Sequence, residues 1–124
     1  MLVDILTEGR VLVALVREPA VLAAAEALEL DDFADLRHQA VFTAIRELQA
    51  RAMLVVPFEI DAWIRRHDAE LGTSLAEKAG LAFIVELELD YEPYGHAVLW
   101  EHDMRWLRTL ALRRAVAIAQ GEAA

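Results

Sequence analysis

Residues 85–92 read Val85-Glu86-Leu87-Glu88-Leu89-Asp90-Tyr91-Glu92, and how they are read decides the fold class. Apolar and acidic residues alternate strictly, which is the template of a half-buried strand. A strand must pair its backbone groups, and Met53 to Val56 is the only other stretch that offers a partner. An isolated two-stranded pairing is marginal in water. The expectation is that helix persists to about Glu88 and the rest is turn, which leaves an all-α chain.

Outward from this stretch the signals are helical. Upstream, Ser74-Leu75-Ala76-Glu77 fits a capping box, so a fifth helix is expected from about Leu75 to Glu88. Downstream, Pro93 and Gly95 break the chain, and a last helix is expected from about Tyr94 to Gln120, with Gly121 as its stop. At 1.5 Å per residue it would run about 40 Å, long for a domain with an expected radius of gyration of about 14 Å. Ala97, Trp100, Met104, Leu107, Ala111 and Ile118 form one apolar stripe; Leu99, Trp106 and Leu110 form a second. So wide an apolar surface calls for two neighbours, the chain's own core and a partner. Arg105, Arg108, Arg113 and Arg114 complement the helix dipole and suit a rim contact to an acidic partner.

Towards the N-terminus four more helices are expected. Glu8 to Arg17 carries Val11, Leu12, Leu15 and Val16 at helical spacing. Pro19 suits the first turn of a second helix to about Leu28, with Val21, Leu22, Ala25 and Leu28 inward. Asp31 and Asp32 serve as stop and restart. The third helix, about Asp35 to Arg51, has Phe33, Leu36, Val41, Phe42, Ile45 and Leu48 as its stripe. Pro57 opens a fourth that ends before Gly72, with Phe58, Ile60, Trp63 and Ile64 as its face. The result is one domain over residues 1–124, a compact bundle of about six helices. Its globular part spans about 8–90 and its long C-terminal helix about 94–120.

Composition narrows the function. Apolar residues make up 57% of 124, which argues against intrinsic disorder. Cysteine is absent, so disulfide scaffolds, thiolate zinc sites and cysteine nucleophiles are excluded. No apolar run reaches the roughly 18 residues of a transmembrane helix. No secretory signal is visible, so the default location is the cytoplasm. Twelve basic against twenty-one acidic residues give a net charge of −9. Nucleic-acid affinity rests on neutralising phosphates, so no direct nucleic-acid binding is expected.

Tests for catalysis come out negative. There is no P-loop and no G-x-G-x-x-G fingerprint. Ser74, the only serine, is taken by the cap. Asp35 and His38 could share a helix face, and His96, Glu101, His102 and Asp103 cluster at the start of the last helix. A di-iron bundle, however, requires Glu-x-x-His pairs, and none occurs. His38 then reads as a packing or capping residue. The acidic run from Glu86 to Glu92 reads as a solvated face. No catalytic residue, metal or cofactor is expected. A metal- or carboxylate-dependent enzyme using His38, His96 and His102 is the alternative, and a DNA-binding regulator a third reading.

Several stretches, in order along the chain, resemble the N-terminal domain of DnaB-type bacterial replicative helicases. Glu8 with Val11-Leu12-Val13-Ala14-Leu15-Val16-Arg17-Glu18-Pro19 is similar to that family's E-x-x-VLGALLLDPE opening. Asp31-Asp32-Phe33-Ala34-Asp35-Leu36-Arg37-His38 resembles EDFYDPRH, and Val41-Phe42-Thr43-Ala44-Ile45 resembles IFEAI. Ala79-Gly80-Leu81-Ala82-Phe83-Ile84-Val85-Glu86-Leu87 resembles GGxxYLxxL, and Leu110-Ala111-Leu112-Arg113-Arg114-Ala115-Val116 resembles EKALRRRLI. The chain departs at Val13, Ala34 and Leu36, where the family has glycine, tyrosine and proline, and at residues 90–96, where the family has a VPSAAN turn. The resemblance places Leu12, Leu15, Phe33, His38, Phe42, Ile45 and Phe83 in a shared core.

It also implies a module that hydrolyses nothing and acts in DNA replication. Such a module packs helicase subunits together and contacts primase or a helicase loader. The primase C-terminal domain has a similar fold, so a primase-type helicase-binding domain or a free-standing regulator is the alternative. The expected mode is docking of apolar helix faces to a helicase subunit, a primase, a loader or a second copy as a homodimer. The candidate contacts are Leu99, Trp100, Trp106, Leu110 and Arg113.

Overall fold

A helix with a broad apolar face has to be packed on several sides, and the first helix is of that kind. In the computed structural model, which describes residues 1–71, 79–90 and 97–121, α1 spans Ile5–Arg17 and buries Thr7, Glu8, Gly9 and all of Val11 to Leu15. It packs against α2, α3, α5 and α6. Asp4 caps it, accepting hydrogen bonds from the Thr7 backbone N–H at 3.1 Å and the Thr7 hydroxyl at 2.8 Å. Gly9 admits a close neighbour: a Cβ there would stand 3.1 Å from Leu87 Cδ2 of α5.

α2 (Pro19–Ala23) begins on its proline but ends earlier than the sequence suggests; a 3₁₀ turn over Ala25–Ala27 replaces its expected continuation to Leu28. Side chains of α3 hold this region. Gln49 Nε2 donates to the Leu22 carbonyl at 3.1 Å and Arg46 Nη1 to the Leu28 carbonyl at 3.3 Å. These two carbonyls thus accept side-chain hydrogen bonds from α3. A second 3₁₀ turn covers Leu30–Asp32, with the Asp32 carboxylate accepting from the Glu29 N–H at 2.8 Å.

α3 (Leu36–Ala50) starts at Asp35, whose carboxylate accepts from the Arg37 N–H at 2.8 Å. Its buried side is His38, Ala40, Val41, Phe42, Ala44, Ile45 and Leu48. Leu36 departs from the expected stripe: it is 63% exposed, in the first turn. After α3, Ala52 takes a left-handed φ of 54°, and the Met53 N–H reaches back to the Leu48 carbonyl at 2.9 Å. This is a Schellman stop built on alanine.

α4 (Pro57–Leu71) buries Ile60, Trp63 and Ile64. Phe58, expected beside them, is 69% exposed; two residues before Ile60 it points about 200° away around the helix. α5 (Leu81–Leu89) settles the decisive stretch as helix. Ile84 is buried, Phe83 and Leu87 are half-buried, and Val85 and Leu89 face out. Residues 53–56 carry no regular secondary structure and so offer no strand to pair with, and a helix satisfies its backbone groups without a partner. The expected single helix from Leu75 is corrected, because Ala79 and Gly80 are not helical. The Leu81 N–H is instead capped across the bundle by Asp61 Oδ1 of α4 at 2.9 Å. Residues 74–77, expected as a capping box, lie outside the described residues.

α6 (Ala97–Ala119) is 23 residues long, about 34 Å at the standard rise. It stops as expected at Gly121, whose φ is +79°. The expected start at Tyr94 lies outside the described residues. α6 lies against α1 and the 30–32 turn, and no described residue forms a strand. The described residues form an all-α bundle of six helices with a long C-terminal helix. None of its described helices is long and apolar enough to cross a membrane.

Candidate functional site

The seven residues that carry the resemblance come together. Leu12, Leu15, Phe33, His38, Phe42 and Ile45 are buried, and Phe83 packs against them half-buried. At the centre is the Glu8 carboxylate, fully enclosed. Its Oε2 accepts from the Ala34 N–H at 2.9 Å; its Oε1 accepts from the Asp35 N–H at 3.2 Å and lies 2.9 Å from His38 Nδ1. A carboxylate accepting three N–H groups satisfies the approach to α3, where Ala34 and Asp35 have no helical partner. The His38 ring stacks on Phe83 at 5.8 Å, and Phe33 meets Phe42 at 4.8 Å. The Arg37 guanidinium also lies over the Phe83 ring, 4.6 Å from its centroid.

The residues proposed as metal ligands diverge. Asp35 turns to Arg37, at 3.0 Å from its guanidinium. That side-chain hydrogen bond, aided by the Arg37 backbone N–H, holds the carboxyl below its usual value of 3.8. His38 faces Glu8. Asp103 is turned inward to Arg10 at 2.8 Å, while Glu101 and His102 are exposed. Among the described residues no group of three or more metal-ligating side chains forms, and His96 lies outside them.

The outer face of α6 is the candidate interface. Leu99 and Arg113 are exposed. Trp100 is half-buried against the core. Trp106 is half-buried and donates from Nε1 to Asp4 Oδ2 at 3.0 Å, with the Arg113 guanidinium 5.4 Å from its ring centroid. Burial pushes the Asp4 carboxyl up, but the Thr7 and Trp106 hydrogen bonds and the nearby Arg10 outweigh it, so its pKa lies below 3.8. Leu110 is corrected from the outer stripe to the interior, at 0% exposure. It continues the inward line of Asp103, Met104 and Leu107 by helical spacing. Ile118, expected on the inner stripe, is exposed.

Sequence reasoning passed over Leu112 and Val116, which are 58% and 55% exposed. They border a groove of about 460 Å³ with Met1, Leu2, Thr109 and Arg113. Their i, i+4 spacing was the available signal. Compared with models of known protein families the chain matches none, and among curated proteins it likewise finds no match.

Proposed function

We infer that this chain is a non-catalytic protein–protein interaction module of the kind formed by the N-terminal domain of DnaB-type replicative helicases. It acts in DNA replication by associating with helicase subunits or by contacting primase or a helicase loader. One observation supports this reading above others. Glu8, His38 and Phe83 belong to three separate stretches of the resemblance, yet the enclosed Glu8 carboxylate meets the His38 ring and that ring stacks on Phe83. Motifs that are weak singly gain weight when they share one packing unit. The contact face is the outer side of α6, where Leu99, Trp106 and Arg113 stand outside the core.

The test is titration of the purified chain against the replicative helicase, primase and loader of its own organism, with mass followed by light scattering. Saturable binding to one of them, or a change in the mass of the helicase ring, is the expected result. Absence of binding to all of them overturns the reading.

A further inference from the structure

The charge of the chain is divided unevenly along its length. Between Met104 and Gly121 there are four arginines and no carboxylate, so all twenty-one acidic residues lie elsewhere. Two of the four arginines are used within the fold. Arg108 pairs with Glu29 at 2.9 Å and Asp32 at 3.3 Å. Arg114 donates to the carbonyls of Leu2 at 2.8 Å and Asp31 at 2.6 Å. Arg105 and Arg113 are exposed, and neither pairs with a carboxylate among the described residues. Arg113 rests on the Trp106 ring, which holds it at the surface.

Arg113 borders an apolar floor, and Arg105 lies two turns N-terminal to that floor on the same side of the helix. Around the helix, Arg105, Thr109, Leu112, Arg113 and Val116 fall within an arc of about 100°. Leu112 and Val116, with Met1 and Leu2 of the N-terminal segment, form the groove, and its described lining holds no carboxylate. The nearest acid in sequence to that segment, Asp4, is engaged by Thr7 and Trp106.

We propose that this groove docks an acidic amphipathic helix of a partner protein, with apolar side chains on Leu112 and Val116 and carboxylates on Arg105 and Arg113. The two arginines are eight residues apart, so the matching carboxylates stand about 12 Å apart along the partner. Charge complementarity selects an acidic occupant. The apolar floor selects a helix over a phosphodiester backbone, since phosphates gain nothing from Leu112 and Val116. Antiparallel pairing with the α6 of a second copy would set arginine against arginine, which disfavours that occupant. The proposal rests on the reading of the chain as an interaction module and names the partner chemistry of its α6 face.

The probe is a fluorescein-labelled synthetic helix of about eighteen residues, with leucine at i, i+3, i+4 and i+7 flanked by glutamate. A control peptide carries glutamine in place of glutamate, and a second control is a single-stranded oligonucleotide. The expected result is saturable anisotropy with the acidic peptide, weakened about tenfold by the glutamine exchange and further by added salt. Arg105→Glu, at a side chain with no acidic partner among the described residues, weakens binding while circular dichroism stays unchanged. Leu112→Asp with Val116→Asp abolishes it. Equal binding of both peptides, no binding, tighter binding of the oligonucleotide, or indifference to these substitutions overturns the proposal. If the helicase, primase or loader binds while the peptide neither binds nor competes, the groove proposal fails and the module reading stands. If the peptide binds and none of those proteins does, the reverse holds.

Discussion

The Glu8 carboxylate lies 2.9 Å from His38 Nδ1, with both side chains sealed from solvent. One buried group thereby ties the first helix to the start of the third and to the turn before it. Removing it leaves the Ala34 and Asp35 N–H groups and the His38 ring nitrogen without their acceptor. Glu8→Ala is expected to cost about 3–5 kcal/mol, the usual loss when one partner of a buried pair is deleted. Urea denaturation measures this, and a loss below about 1 kcal/mol would mean that the pair is incidental to stability.

Asp4 offers a pH test. Its carboxyl lies below the ordinary value of 3.8 in the folded chain. A depressed folded pKa stabilises above the unfolded value, and that contribution is lost as pH falls through the folded value. Asp4→Asn keeps a capping oxygen but loses the charge that strengthens the Thr7 and Trp106 hydrogen bonds, so it is expected to destabilise at neutral pH by less than the ~1 kcal/mol of losing a cap outright. The gap between the parent chain and the variant should close as pH drops below 3.8. A gap that stays constant into acid would refute the assignment.

Ala52 carries a side chain where the Schellman stop favours none, at a φ of 54°. Ala52→Gly is expected to stabilise the chain by about 0.5–1 kcal/mol by relieving left-handed backbone strain. Thermal unfolding of the variant checks the sign, and a lowered midpoint would contradict it.

Leu110 and Leu112 are two residues apart on α6 and lie on opposite sides of the boundary between interior and surface. Leu110→Ala should cost about 2–5 kcal/mol by leaving a cavity. Leu112→Ala should change stability by less than about 0.5 kcal/mol. Equal effects would mean that α6 is rotated from the orientation described.

Local signals in the sequence told most about helix ends. Pro57, Asp35 and Gly121 mark boundaries through their own backbone or side-chain chemistry, and the structure places them as their residue types predict. The premature end of α2 was not legible; the side chains that bond to this region, Arg46 and Gln49, reach it from 18 and 27 residues away. Glu8 was noticed as a motif letter but not as a tether, since its acceptor role appears only when Ala34, Asp35 and His38 are brought to it. On α6 the apolar periodicity continues to Ile118, but burial ends at Leu110. Periodicity cannot report where the body beneath a helix stops. Of the contact residues expected from the sequence, Leu99, Trp106 and Arg113 stand outside the core; Leu112 and Val116, which the N-terminal segment joins into a groove, were not among them.

α1 is made first and finished last. Its cap residue Asp4 waits for Trp106, Arg10 waits for Asp103, and the Leu2 carbonyl waits for Arg114, separations of 102, 93 and 112 residues. A ribosome adding roughly 5–20 residues each second must run for several seconds between synthesis of the two ends. Throughout that interval the nascent chain carries an apolar helix with its α6 side uncovered. A stalled or prematurely terminated product lacking the last helix would therefore present sticky surface to chaperones and proteases.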